Sequence, residues 1–137
     1  EAPVPVCTVT KKEHRLGGAA NVALNIVAMG ANPIVCSVIG NDAEGTLLTE
    51  LFTSNQISVE GIVASKNRCT TVKTRIIGNN SQMLRIDEER NDSLSENDQI
   101  ILIERVKQKI LAYFLPSLNC DKNLFDPLKL LPLHVAT

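Results

Sequence analysis

The run Ala19 to Met29 (AANVALNIVAM) constrains this chain more than any other stretch. It is rich in Ala, Leu, Val and Ile and apolar nearly all round, so it reads as a buried helix rather than a surface one. Gly17-Gly18 precedes it and Gly30 follows it, as start and C′ stop signals should. A helix of this kind needs a layer to lie against, and the next segment supplies one. Pro33 to Ile39 (PIVCSVI) is a short continuous apolar run with β-branched residues that ends at Gly40. It reads as a strand buried on both faces. Asn41 or Asp42 caps a helix from about Ala43 to Ser54, with Leu47, Leu48, Leu51 and Phe52 on one face. Ile57 to Val63 reads as another short strand. Strand, helix and strand at this spacing predict βαβ units and a parallel sheet.

The flanking segments follow other rules. In Glu1 to Val9, Val4 and Val6 alternate with Pro3 and Pro5, which allows an edge strand or no strand. Thr71 to Ile77 and Gln82 to Asp87 each alternate with period two around the turn residues Gly78-Asn79-Asn80-Ser81, a hairpin with one wet face. Ser93 or Ser95 caps an amphipathic helix over about Glu96 to Leu111, with Ile100, Ile103, Val106 and Ile110 on one side. The remainder, 111–137, holds Pro116, Pro127 and Pro132 and eight leucines, with neither helix period nor strand alternation.

Length and charge then exclude several functions. The 137 residues amount to about one domain. Lys plus Arg is 14 and Asp plus Glu is 15, which removes the electrostatic case for a nucleic-acid or anionic-membrane binder. No apolar run approaches the ~18–20 residues of a membrane span. No leader pattern opens the chain, and the reading is of a cytoplasmic protein. Cys7, Cys36, Cys69 and Cys120 contain no C-x-x-C pair, so they read as reduced thiols rather than zinc ligands or a redox pair.

Two places can carry chemistry. Gly17-Gly18 lets a backbone approach a ligand closely at a helix start with free N–H donors. Asn21 and Asn25 share one face of that helix, and an amide suits a sugar hydroxyl. The same glycines equally suit a tight turn beneath a closely packed helix. The second place is the hairpin. Lys73 and Arg75 share a face of one strand and Arg85 lies on the return, so three cations can clamp a phosphate, or simply form a solvated face. Register decides between them: a two-residue Asn79-Asn80 turn puts Arg85 on the opposite side, and an odd loop puts all three together. His14 and His134 read as surface residues. Asp87-Glu88-Glu89 reads as a solvated run and Asp42 as a helix cap. The chain has neither G-x-G-x-x-G nor G-x-x-x-x-G-K-[ST], so the dinucleotide and Walker A loops are absent.

Gly17-Gly18-Ala19-Ala20-Asn21-Val22-Ala23, then Gly30 and Gly40, resembles the first signature of the ribokinase-like (phosphofructokinase B-type) sugar kinases, and Gly40-Asn41-Asp42-Ala43-Glu44-Gly45 is similar to the G-x-D-x-x-G that follows it. Glu1 to Val6, Thr70 to Arg75 and Gln82 to Asp87 narrow the resemblance to the heptose 7-phosphate kinase domains of ADP-heptose synthases. It covers about residues 1–110, and 111–137 do not follow the family's continuation.

The resemblance implies an α/β fold: a three-layer α/β/α sandwich with a small antiparallel β lid at about residues 70–88, present as an incomplete N-terminal portion. It implies that Gly17, Gly18 and Asn21 contact the sugar and that Lys73, Arg75 and Arg85 hold its phosphate. It implies a homodimer through the lid hairpin, and ATP and Mg²⁺ in the complete enzyme. The family's catalytic aspartate belongs to a G-A-G-D motif that these residues do not contain. The expectation is therefore a chain that does not bind nucleotide tightly or transfer phosphate alone. Its cut sheet would leave an apolar edge, making it aggregation-prone or oligomeric. A non-catalytic sugar-phosphate-binding or dimerisation module, or another ribokinase-like kinase, remains the alternative.

Overall fold

The computed structural model describes residue 3 and residues 6–114. Helix α1 (Ala19–Ala28) leads into strand β1 (Ser37–Gly40), helix α2 (Ala43–Ser54) and strand β2 (Ile62–Ser65). A hairpin of β3 (Val72–Gly78) and β4 (Ser81–Glu88) follows, then helix α3 (Glu96–Phe114).

β1 and β2 pair in parallel, from Ser37 opposite Ile62 to Gly40 opposite Ser65. Parallel neighbours cannot be joined by a tight turn, and α2 is the crossover between them. Both strands begin later than the apolar runs suggest. Among the described residues, an isolated Ile34–Ser58 bridge is the only ladder contact ahead of them. For β2 the cause is local. The Ile57 N–H is used on the Phe52 carbonyl at 2.9 Å, closing the end of α2, and Gln56 sits at φ 60°.

The two faces of this sheet carry different layers. Ile62 packs with Leu16, Ala20, Ala23, Phe52 and Ile57, the cluster that joins α1 and α2. Ser65, of opposite parity in the same strand, bonds Asp98 of α3 at 2.8 Å. Helices therefore lie on both faces of the parallel pair, a mixed α/β layering as expected. Phe52 is the largest fully buried side chain, a contribution of about 1.5–3 kcal/mol.

Local signals set the helix ends. Asp42 caps α2 by accepting the Gly45 N–H at 2.7 Å. Gly30 at φ 84° follows the end of α1. Ser95 accepts the Asp98 N–H at 3.2 Å to start α3.

Three expectations about burial need correction. α1 is not buried all round. Ala20 and Ala23 are buried, but Val22 is 57 % and Met29 76 % exposed, because the described structure covers only one of its faces. The apolar run Pro33 to Val38 is half-buried, and only Ile39 and Gly40 at the end of β1 are buried, so the strand is not sealed on both faces. On α3, Ile100, Ile103 and Ile110 are exposed. Val106 alone of that stripe is half-buried, on an inward side it shares with Asp98, Leu102, Arg105 and Lys109. Polar anchors outrank the apolar stripe there: Asp98 reaches Ser65, and Arg105 and Lys109 reach the Glu60 carbonyl and carboxylate at 2.9 and 2.7 Å.

Val6 to Thr10 are exposed and form no ladder. Cys7, Cys36 and Cys69 are free thiols, while Cys120 and the unpatterned segment beyond Phe114 lie outside the described residues. No described helix is long and apolar enough to cross a membrane.

Candidate functional site

The hairpin turns through Asn79 and Asn80, with φ of 51° and 59°. Two successive left-handed residues make the type I′ turn that matches strand twist, and asparagine tolerates it. Gly78 pairs with Ser81 and Ile77 with Gln82. Continued regularly, this register would set Thr74 opposite Arg85 and turn Arg85 away from Lys73 and Arg75. It does not continue. The pairing shifts between Ile76 and Ile77, Ile76 faces Leu84, and Met83 is left as the extra residue of a β-bulge. Beyond the bulge Arg75 lies opposite Arg85 and Lys73 opposite Asp87. Directly opposed residues share a face, so the three cations converge despite the two-residue turn.

Their charges are unequally balanced. The Lys73 ammonium donates to Asp87 at 3.1 Å and Glu89 at 2.9 Å, and Arg85 pairs with Asp87 at 2.9 Å. Glu89 first, then Asp87, holds the Lys73 ammonium above the ordinary lysine range. Lys73, with a smaller contribution from Arg85, holds the Asp87 carboxyl below the usual carboxylate range. Asp87, Glu88 and Glu89 are exposed, as a solvated run should be, and Asp87 and Glu89 also pair with this face; no metal-holding acidic cluster occurs among the described residues. Arg75 has no ion pair or side-chain hydrogen bond among the described residues, and it stands against a second arginine. Like charges in that position are unfavourable, and an anion bound between them relieves the repulsion.

The other sequence-derived candidates sit at the start of α1. Gly18 is its N-cap at φ 54°, ψ −131°, a conformation only glycine adopts readily. Gly17 is different: a Cβ there would meet nothing within 4 Å, so packing does not require a glycine. Asn21 and Asn25 are exposed on one face, and no side-chain cap closes the helix. No hydrogen bond or ion pair among the described residues joins Gly17, Gly18 or Asn21 to the hairpin cations. The structure brings the three cations together and leaves the α1 start as a separate exposed group.

Two features escape a reading of the sequence. Asp42 does more than cap α2, since it also accepts the Thr70 N–H at 2.8 Å and the Thr70 hydroxyl at 2.7 Å. The hydroxyl first, then the N–H, holds this half-buried carboxyl below the usual range. The connectors on either side of the hairpin are also clasped. Arg68 donates to the carbonyls of Arg90 and Asp92 at 3.0 and 3.1 Å, and Arg90 donates to the Asn67 carbonyl at 2.7 Å. A polar pocket of about 530 Å³ lies beside this clasp, bounded by Lys66, Arg68, Arg90, Asp92 and Asp98. The partners are 22 to 28 residues apart, and only the paired glycines around Asp42 hint at a close approach.

The model of the pfkB family carbohydrate kinases matches residues 2–125. The bifunctional protein HldE of Helicobacter acinonychis (strain Sheeba) is 42 % identical over 110 residues, covering 80 % of this chain and 24 % of that protein. The bifunctional protein HldE of Helicobacter pylori (strain G27) is 43 % identical over the same length and shares. That of Geobacter sulfurreducens is 43 % identical over 104 residues, 76 % of this chain and 21 % of its own. The chain spans about a quarter of the length of the curated relatives it matches.

Proposed function

The chain belongs to the pfkB family of carbohydrate kinases, and from that membership we propose that it supplies the sugar side and lid of a kinase acting on D-glycero-D-manno-heptose 7-phosphate. The observation that carries the substrate reading is the convergence of Lys73, Arg75 and Arg85 on one hairpin face, with Arg75 left without an acceptor among the described residues. Three cations against two carboxylates leave one positive charge over, which suits a substrate that already bears a phosphate. The heptose-kinase resemblance of the stretches around Thr70 to Arg75 and Gln82 to Asp87 supports the same reading.

In the proposed reaction O1 of the sugar attacks the γ-phosphorus of ATP. The new O–P bond forms as the bond to the β-phosphate oxygen breaks, releasing ADP and leaving a 1,7-bisphosphate. ATP supplies the phosphoryl group, and Mg²⁺ would neutralise its charge. Neither is assigned to residues of this chain, and the proton acceptor is likewise assigned to none of them, since G-A-G-D does not occur in the sequence. The proposed part of these 137 residues is positioning. Gly17, Gly18 and Asn21 meet the sugar, and the three cations fix its phosphate end. We place the protein in the cytoplasm, acting without nucleic acid or membrane. We propose a homodimer through the other hairpin face, where Val72, Ile76, Leu84 and Ile86 lie together with Leu84 53 % exposed.

Calorimetry with heptose 7-phosphate tests this. The wild type binds, Lys73→Ala weakens binding by about tenfold or more, and the unphosphorylated heptose binds more weakly by a similar factor. Equal affinity for both sugars removes the clamp and favours a different sugar kinase. ATP turnover by these residues alone contradicts the purely positioning role.

A further inference from the structure

We infer that Asp42 and Thr70 form a latch that sets the angle of the hairpin on the α/β body, which makes both of them positioning residues for the cationic face. The inference rests on the phosphate-clamp reading for its consequence, but not for the latch itself.

Thr70 stands two residues ahead of β3 and is buried. Every polar group it presents toward the body is engaged. Its N–H donates to Asp42 Oδ2 at 2.8 Å and its hydroxyl to Asp42 Oδ1 at 2.7 Å. Its Oγ1 in turn accepts the Gly40 N–H at 3.0 Å. One threonine thus joins the end of β1, the start of α2 and the root of the hairpin.

The glycines flanking Asp42 are shaped to this purpose. A Cβ on Gly40 would stand 2.6 Å from the Thr70 nitrogen and 2.8 Å from the Arg68 carbonyl oxygen, and one on Gly45 would stand 3.0 Å from the Thr70 hydroxyl. Gly40-Asn41-Asp42-Ala43-Glu44-Gly45 is therefore a socket that admits the connector, with the carboxylate at its floor. The return connector is held to the entry connector by the Arg68 and Arg90 bonds, so the hairpin inherits its orientation from the entry side.

Distance makes that orientation matter. At ~3.3 Å per residue, Arg75 lies roughly 16 Å along the chain from Thr70, so a rotation of about 10° at the latch moves it by about 3 Å. A displacement of that size breaks a hydrogen bond to a phosphate oxygen.

The test is amide hydrogen exchange resolved by segment, on the whole chain. Thr70→Val keeps the side-chain shape and removes the hydroxyl. Asp42→Asn keeps an oxygen to cap Gly45 and accept the Thr70 hydroxyl but sets an amide NH₂ against the Thr70 N–H. Thr70→Ser keeps the hydroxyl. Exchange over residues 72–88 should rise by roughly tenfold in Thr70→Val and Asp42→Asn, stay unchanged in α1 and α2, and return toward wild type in Thr70→Ser. A uniform rise in all segments, no rise in the hairpin, or a Thr70→Ser variant that behaves like Thr70→Val overturns the latch. If Thr70→Val does not fold, Asp42→Asn measured against wild type decides the matter by the same criteria. Heptose 7-phosphate binding, measured on the same variants, should weaken in step with hairpin exchange. Failure of the wild type to bind that sugar overturns the substrate alone, because the exchange pattern needs no ligand.

Discussion

Arg75→Gln should stabilise the free protein and weaken sugar-phosphate binding. Arg75 and Arg85 are directly opposed across the hairpin, and Arg85 shares Asp87 with Lys73 while Arg75 has no acceptor among the described residues. Two unit charges about 7 Å apart in water repel by about 0.6 kcal/mol, which is an upper bound here because the Asp87 carboxylate paired with Arg85 lowers it. Glutamine keeps the length and the strand register and removes the charge. Thermal unfolding at low ionic strength should then show a midpoint about 2–3 °C above wild type. In 1 M salt, where the screening length is ~3 Å, the gain should vanish. Calorimetry with heptose 7-phosphate should show the reverse sign, an affinity loss of about 10- to 100-fold for one charge-assisted bond. A lower midpoint, or a gain that survives high salt, refutes the repulsion. A higher midpoint with unchanged affinity refutes the clamp and leaves a merely suboptimal surface.

The two glycines before α1 should separate stability from binding. Gly18→Ala forces a side chain into φ 54°, ψ −131° and should cost about 1–3 kcal/mol in denaturant unfolding, whereas Gly17→Ala should stay within about 0.5 kcal/mol of wild type yet weaken sugar binding. Asp42 has a folded-state pKa below its unfolded one, set chiefly by Thr70. Its contribution is therefore present above the unfolded value and lost as pH falls through the folded one, so acid titration of the unfolding midpoint should be flatter in Asp42→Asn. Leu84→Glu places a charge on the apolar hairpin face and should convert a dimer to monomer in sedimentation, with Arg75 on the opposite face left able to bind phosphate.

Local chemistry made much of the fold legible. Asp42 before α2, Ser95 before α3, Gly30 after α1 and the Asn79-Asn80 turn all act within about four residues, and each lies where its residue type requires. The burial of α3 was not legible in the same way. Its apolar stripe through Ile100, Ile103 and Ile110 is more conspicuous in the sequence than the face that turns inward, because Ser65 and Glu60, which hold Asp98, Arg105 and Lys109, are more than thirty residues away.

The cationic face shows the division most clearly. The sequence by itself determined that Lys73 and Arg75 share a face, because alternation along a strand leaves no choice, and it marked Gly78 to Ser81 as a turn with two-residue and odd loops both open. Only the tertiary structure decided where Arg85 points. One extra residue, Met83, moves it from the far face to the near one, and a single-residue slip inverts every side chain that follows. The same holds for Asp42. As a cap it is a matter of three residues, while as the anchor of the hairpin it depends on Thr70, 28 residues on, reaching the socket between two glycines once the chain has folded.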